Sequence, residues 1–509
     1  MKGDDRHLWE EATQDEYNVI NGNETWEIVD LPPGKKAIGS GWVFKIKFKA
    51  DGTIEWYKAR IVAKGYSQCP GIDYTEVFAP TFRPATLRLI LALAAIEDMH
   101  LRSVDVTSAF PDGDLEEEIY MLQPEGFHQG GPNKVLHLCK SLYGLKQAAH
   151  QWNKKLHAAL VEMGFKRIEA DHSVYIYSNG VVKIIVPIYV DDITFASKSN
   201  AAIDKAVKDL CTCFKCCDLG STKFLQGVGI GQDKDKKLIT LHQHQFILDM
   251  LKCYGMSDCH PVQTPMAPGT VLSKTMGPEN SDEVEFMQNV PYLSAVGSLQ
   301  YLATMTHPDI AYTVSYLAHF SSNPGPKHWA AVKHLLCYCK GTLEHKLHFN
   351  GQVDSCEFTT YSDAAHGDCV DTGRSTAGYV TTLAGGAIGW ASKLQPFVTI
   401  STTEAEYISA VEAGKEIHWM RNILGEFVYP VKQALPLHID NQSAITVSKN
   451  PEHHGHMKQL DLCFFWLREA VNEGVITPHY IPLLTCSPNL YLSPKSNIAE
   501  TEWVFWFNF

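Results

Sequence analysis

Val181-Val-Lys-Ile-Ile-Val-Pro-Ile-Tyr-Val-Asp-Asp-Ile-Thr-Phe-Ala-Ser-Lys198 is the stretch that decides how this chain is read. Two apolar runs flank the adjacent carboxylates Asp191 and Asp192, and each run has the length and composition of a buried β-strand. The pair therefore falls at the tip of a hairpin. Neighbouring like charges on rigid strands repel, and buried carboxylates are costly unless paired or bound to a metal. A divalent cation is the natural partner for two carboxylates presented at such a tip. In isolation the same residues read as a solvated Asp-Asp turn, so the decision rests on the rest of the chain.

At 509 residues the chain should form two to four domains. A hydrophobic content of 45% supports sizeable cores, and no stretch reaches the ~20 apolar residues a bilayer span needs. The N-terminal residues are polar and lack the apolar run of a signal peptide. Fourteen cysteines without such a signal suggest reduced thiols inside a cell. The net charge of −13 argues weakly against nucleic-acid binding, because phosphate contacts need Lys and Arg.

Periodicity and turn residues organise the chain. Residues 1–36 are polar and end in the loop signal Leu31-Pro-Pro-Gly34. Residues 41–66 predict a hairpin turning at Asp51-Gly52. A largely buried helix is expected over 84–98, starting near Pro84, followed by the short strand Leu101-Arg-Ser-Val-Asp-Val. An amphipathic helix is expected over 147–163. Residues 261–290 are rich in Pro, Gly, Ser and Met and read as a link between two units, with a helical stretch at 292–341. A new α/β unit is expected from 357, with strands at 357–361, 377–383, 386–390 and 436–440 and helices at 402–425 and 458–473.

Asp105 ends the strand in Ser103-Val-Asp-Val-Thr-Ser-Ala-Phe110. With the Asp191-Asp192 hairpin it gives three carboxylates that one sheet could gather, an arrangement used in two-metal phosphoryl transfer. Longer stretches carry a family resemblance. Among them are Tyr57-Lys-Ala-Arg-Ile-Val-Ala-Lys-Gly65, Gly71-Ile-Asp-Tyr-Thr-Glu-Val-Phe-Ala-Pro80, Phe110-Pro-Asp-Gly-Asp-Leu-Glu-Glu-Glu-Ile-Tyr-Met121, Ser141-Leu-Tyr-Gly-Leu-Lys-Gln147 and Tyr189-Val-Asp-Asp192. Over roughly residues 8–482 the chain resembles the reverse transcriptase of copia-type LTR retrotransposons.

The resemblance implies an α+β right-hand polymerase of fingers, palm and thumb, followed by an α/β ribonuclease H-like domain. It divides the chain into a polar N-terminal segment (1–36), fingers and palm (37–267), a linker with a helical thumb and connection (268–355), the ribonuclease H-like domain (356–482) and an aberrant tail (483–509). It casts Asp105 and Asp191 as ligands of two Mg²⁺ ions, or Mn²⁺ in their place, and Asp192 as the third acidic member. Phe110 matches the aromatic gate that excludes a ribonucleotide 2′-hydroxyl. Lys58, Arg60 and Lys64 lie on the fingers hairpin, where cations could meet a triphosphate. Tyr143, Gly144 and Lys146 match the turn that carries template and incoming nucleotide, where a Gly lets the backbone approach a base pair. The implied partners are an RNA template, a DNA primer and dNTPs, with no membrane. A dimer, or association with other element proteins, is also implied. The expected location is cytoplasmic, in a virus-like particle, or nuclear, and not secreted.

Tyr361-Ser-Asp-Ala-Ala-His-Gly367, Ser401-Thr-Thr-Glu-Ala-Glu-Tyr407 and His438-Ile-Asp-Asn-Gln-Ser-Ala444 resemble the acidic segments of a ribonuclease H domain. The resemblance makes Asp363, Glu406 and Asp440 metal ligands that activate water against the RNA strand of a hybrid. After Tyr480-Ile-Pro482 the chain departs from the family, as a frameshift, a mis-spliced exon or a gene-model error would make it. The fourth carboxylate has no good match there, Glu500 being a poor substitute, so ribonuclease H activity is left in question. With no Gag, protease or integrase segment, the chain is expected to be the C-terminal portion of a Pol polyprotein.

Nine Arg stand against 23 His and 14 Cys. His150, His307, Cys337 and Cys463 fall where the family text has Arg, and His319 and His456 look similar. Deamination of methylated cytosine converts CG-type Arg codons to Cys or His codons. A silenced copy losing Arg in this way is the expectation, and reading those codons tests it. The competing function is thus a decayed, non-catalytic remnant that at most binds nucleic acid. Metal binding by Cys211, Cys213, Cys216 and Cys217 is disfavoured, since no second well-spaced Cys/His pair follows. Asp371-Thr-Gly373 copies an aspartic-protease triplet but lies in a polar loop without flanking apolar strands, and reads as coincidence.

Overall fold

The computed structural model describes residues 5–48, 53–131, 133–352, 358–429, 431–449 and 461–482. The expected turn at Asp51-Gly52, the segment around His456 and the tail after Pro482 lie outside them. The chain forms two compact units, and it passes between them more than once. One comprises Met1–Phe82 and Arg102–Gly220, the other Arg83–Leu101 and Ser221–Phe509. These units do not follow the five sequence segments.

In the first unit, a six-stranded sheet runs in the order Cys216–Ser221, His100–Val106, Asp192–Ser197, Lys183–Tyr189, Val174–Ser178, Lys166–Arg167. Its two central strands, Asp192–Ser197 and Lys183–Tyr189, are near-continuous buried runs, while the edge strands Cys216–Ser221 and Lys166–Arg167 are polar and largely exposed. Trp152, Leu156 and Leu160 of the helix Ala148–Glu162, and Ile203, Val207 and Leu210 of the helix Asn200–Cys213, share one core with Val104, Ile184, Val186 and Phe195. The long hairpin Ser40–Phe48 and Ile54–Ala63 and a three-stranded sheet (Trp26–Asp30, Lys134–Lys140, Asp114–Met121) complete the unit. The polar 1–36 segment is part of it. Its helix Arg6–Gly22 buries Tyr17 and Ile20, and its strand buries Trp26, against Ile61, Leu136 and Leu138. A few large apolar anchors outweigh a polar average.

The second unit takes up the helix Pro84–Ile96, in which Ala85 through Ala95 are all buried. Helices at Tyr292–Met305, Ala311–Ala318 and Pro326–Gly341 form the expected helical stretch. The stretch read as a linker is not slack. Leu272 and Met287 are buried in that helical core, and the Asp371 carboxylate accepts from Ser273 Oγ and Lys274 N–H. That contact is the structural use of the Asp-Thr-Gly triplet. The last sheet has the order Gly386–Leu394, Thr376–Leu383, Thr359–Ala365, Leu435–Ile439, Ile476–Tyr480. The first three strands are antiparallel and the last two join in parallel. The 25-residue helix Thr402–Glu426, with Ser401 as its N-cap, packs against it.

Candidate active sites

Asp192 pairs with Tyr189, so Val190 and Asp191 alone make the hairpin turn. Val190 has φ 58°, in the left-handed region where a β-branched residue is strained. The turn is pinned from beneath: the fully buried Trp152 donates its indole N–H to the Val190 carbonyl at 2.7 Å. On the neighbouring strand, Val106 N–H donates to the Asp191 carbonyl at 3.2 Å, which sets Asp105 beside the tip. Asp105, Asp191 and Asp192 are all half-buried. Burial, and then the charges of Asp191 and Asp105, push the Asp192 carboxyl up to about 6. The three charges act on one another, but among the described residues their carboxylate oxygens do not all lie within 4.8 Å of one another.

An aromatic wall stands beside these carboxylates. Ser108, at φ 60°, opens the one-turn helix Ala109–Asp112 that carries Phe110. The Phe110 ring meets Tyr143 edge-on at 5.2 Å, and the Arg60 guanidinium lies 4.8 Å over the Tyr143 ring. Burial pushes the Tyr143 hydroxyl up to about 12, Arg60 opposing and the charges of Glu16, Asp191 and Asp105 adding. The structure thus joins the expected residues Arg60, Tyr143 and Phe110 in one stack. Lys58 lies two residues from Arg60 on the same face, directly opposite Lys45. The half-buried Glu16 carboxyl lies near Arg60 and Lys58 and feels the charges of both. Lys64 and Lys146 are exposed, and the Lys64 stem lies over Gly39.

Gly144 has an internal reason to be glycine. It sits at φ 91°, and a Cβ there would stand 2.2 Å from the Ala63 carbonyl oxygen. Ala63 N–H donates to the Tyr143 carbonyl at 2.7 Å, so the space is used by the fingers hairpin itself. Two buried glutamines complete this lock: Gln68 Oε1 accepts from Lys146 N–H, and its amide donates to Gln147 Oε1. Sequence reasoning assigned roles to neither glutamine, nor to Trp152. Their signal is confined to the motif letters around Lys146 and to one apolar position of a helix.

The second set lies on the last sheet. Asp363 stands on the central strand Thr359–Ala365, Glu406 on the long helix, and Asp440 just past Leu435–Ile439. One carboxylate oxygen from each lies within 4.8 Å of the others. Ala364 N–H donates to both Asp363 Oδ1 and Glu406 Oε1, and Ser409 Oγ donates to the Asp363 carbonyl at 2.6 Å. Glu406 is buried, and its Oε2 and Asp440 Oδ1 have no hydrogen-bond partner among the described residues. Burial, then Asp363 and Asp440, push the Glu406 carboxyl up to about 10. Burial and Asp440 push Asp363 to about 6. Orphaned buried oxygens in an all-carboxylate cluster fit a divalent cation.

The other metal-like motifs resolve differently. Among the described residues, the Cys211 to Cys217 cluster does not bring three donors together. Cys337 is half-buried and Cys339 buried, on different sides of their helix. His150 takes up contacts of its own, its Nδ1 at 2.8 Å from the Phe78 carbonyl. His307, which stands where the family text has Arg, is buried, and burial lowers its pKa.

Strand order and carboxylate placement define a polymerase-type palm and a ribonuclease H-like sheet in one chain. Residues 23–268 match the family model described as reverse transcriptase (RNA-dependent DNA polymerase). The chain is 41% identical over 465 residues to the retrovirus-related Pol polyprotein from transposon TNT 1-94 of Nicotiana tabacum, covering 91% of this chain and 35% of that one. It is 35% identical over 470 residues to the Pol polyprotein from transposon RE1 of Arabidopsis thaliana, covering 92% and 31%. It is 34% identical over 316 residues to the putative transposon Ty5-1 protein YCL074W of Saccharomyces cerevisiae, covering 62% of this chain and 100% of that protein. The chain therefore belongs to the reverse transcriptase family of copia-type transposon Pol polyproteins. It spans about a third of the length of the polyproteins it matches. The solved foamy viral protease-reverse transcriptase in complex with ds DNA aligns with a TM-score of 0.47 and 11% identity, over 93% of this chain and 70% of that one.

Proposed function

We propose that the chain catalyses RNA-directed DNA synthesis, extending a DNA primer on an RNA template with dNTPs. The observation that carries this reading is the placement of Asp105, Asp191 and Asp192 around a strained hairpin tip, near enough for their charges to act on one another, beside the Phe110–Tyr143–Arg60 stack. Asp105 and Asp191 would hold Mg²⁺ or Mn²⁺. When bound, such ions supply activation of the primer 3′-hydroxyl and charge neutralisation on the phosphates. Asp192 adds a third carboxylate at the edge of the cluster, its carboxyl held up to about 6 by burial and by the charges of Asp191 and Asp105. Phe110 excludes bulk beside the sugar, and Tyr143 fixes its orientation. Arg60 and Lys58 present positive charge to a triphosphate. The setting would be a cytoplasmic virus-like particle or the nucleus, with other element proteins as partners.

Asp363, Glu406 and Asp440 support a second activity, cleavage of the RNA strand of a hybrid, for which these three carboxylates would hold the cations. The test measures dNTP incorporation on an RNA template and DNA primer with Mg²⁺ or Mn²⁺. An Asp191→Asn, Asp192→Asn double variant serves as the blank. Incorporation well above the blank is expected; incorporation equal to it leaves a non-catalytic remnant as the reading.

A further inference from the structure

We propose that the three-stranded sheet of the first unit carries a site for a zinc-class divalent cation, built from Glu27, His137 and Cys139. Glu27 lies on Trp26–Asp30, and His137 and Cys139 lie on Lys134–Lys140. The strands are antiparallel, with Glu27 directly opposite His137. Strand alternation puts Cys139, two residues on, on the same face as His137. A carboxylate oxygen, an imidazole nitrogen and the thiol sulfur all lie within 4.8 Å of one another.

The framework is rigid before any ion arrives. Trp26, Leu136 and Leu138 are buried in the core and anchor both strands. Across the third strand Tyr120 stands opposite His137, its ring 5.2 Å from the imidazole and tilted by 33°, which orients that ring. The nearby carboxylate Glu118 is committed to Tyr120 and Lys35, so the donor set is oxygen, nitrogen and sulfur. That mixture suits Zn²⁺ and its spectroscopic substitute Co²⁺, whereas Mg²⁺ and Ca²⁺ take oxygen alone. Three protein donors leave a fourth position for water. As the metal–sulfur bond forms, the Cys139 thiol gives up its proton to solvent. The ion would staple the N-terminal strand to the strand that runs straight into the Ser141–Gln147 turn.

The test titrates the reduced full chain with Co²⁺ in excess Mg²⁺, which occupies the carboxylate clusters. A thiolate-to-cobalt absorption band with one ion per chain is expected, lost in Cys139→Ser. Loss of a direct ligand should exceed the ~10–100-fold cost of losing a supporting group, so His137→Gln should weaken Co²⁺ by more than about tenfold. Circular dichroism establishes that each variant is folded, and Cys139→Ala replaces Cys139→Ser if that variant is not. No band in the parent, or the same band and affinity in the Cys139 variants, would overturn the site.

Discussion

The indole N–H of Trp152 donates to the Val190 carbonyl at 2.7 Å, tying the buried face of the palm helix to the strained residue between the hairpin strands. A β-branched residue at positive φ persists only where its surroundings over-determine it. Here the surroundings are a ladder on each side, the Val106 to Asp191 bond from the next strand, and this one indole.

Replacing Trp152 by Phe keeps the apolar bulk and removes the donor. The orphaned carbonyl should cost about 1–3 kcal/mol of stability. Because the turn aims Asp191, turnover should fall more than dNTP KM rises. Thermal melting and steady-state incorporation read both quantities. A Phe variant with the parent's kcat would mean that the turn holds its own shape.

Gly144 is the second point of closure. Gly144→Ala would force a Cβ to 2.2 Å from the Ala63 carbonyl at a φ of 91°, and such a clash shifts backbone, not a flexible side-chain end. A loss of about 1–3 kcal/mol is expected from the backbone strain alone. The Arg60–Tyr143–Phe110 stack should loosen with it. Selection against ribonucleotides, measured as the ratio of dNTP to rNTP incorporation, should drop in Gly144→Ala while Mg²⁺ dependence stays. An unchanged ratio would separate the turn from the gate.

Much of this was legible in the sequence because its signals are local. The hairpin tip announced itself as Asp191-Asp192 between apolar runs, and Glu406 sat on the expected helix, while the strand bearing Asp363 runs on past its expected end and Asp440 lies one residue beyond its strand. Long-range placement was not legible. Nothing in Pro84-Ala-Thr-Leu-Arg-Leu-Ile says that this helix leaves its sequence neighbours and packs in the other unit. Nor does a polar average over 1–36 betray Tyr17, Ile20 and Trp26 as core residues, since three anchors decide burial while the surrounding polar residues merely face solvent. Gln68 and Gln147 act through a bond spanning 79 positions, which no periodicity encodes.

The ribonuclease H-like cluster makes stability depend on pH in a definite sense. Glu406 stays protonated in the fold up to about 10, against 4.5 ordinarily, so the folded chain binds more protons than the unfolded chain between those values. Stability in EDTA should therefore fall as pH rises through that window. Mg²⁺ competes with the proton, so its stabilising effect should be larger near pH 9 than near pH 6. Glu406→Gln should flatten the metal-free profile and abolish the Mg²⁺ increment. Melting curves across pH with and without Mg²⁺ check both, and a parent profile rising from pH 6 to 9 in EDTA would refute a proton held on Glu406 in the fold.

Arg88 is the strongest structural commitment of the second unit. Its guanidinium is 4% exposed, donates from Nε to the Ile388 carbonyl at 2.8 Å and from Nη1 to Thr304 and Met305 carbonyls at 2.7 and 3.1 Å, and lies 3.7 Å over the Trp390 ring. Burial lowers its pKa to about 9, with the Glu416 charge opposing. The carbonyls at Thr304 and Met305 end the helix Tyr292–Met305, where a cation also meets the negative end of the helix dipole. One side chain thus joins three elements that lie far apart in sequence. Arg88→Met would leave three carbonyls without their donor and should cost about 3–5 kcal/mol, the range for breaking a buried charged network. Arg88→Lys keeps a charge but loses the fork and the planar stacking on Trp390, so it should fall between the two. Urea denaturation should rank the chains Arg, Lys, Met in falling stability. Equal midpoints for the parent and the Met variant would show that apolar packing, and not the guanidinium, holds these elements together.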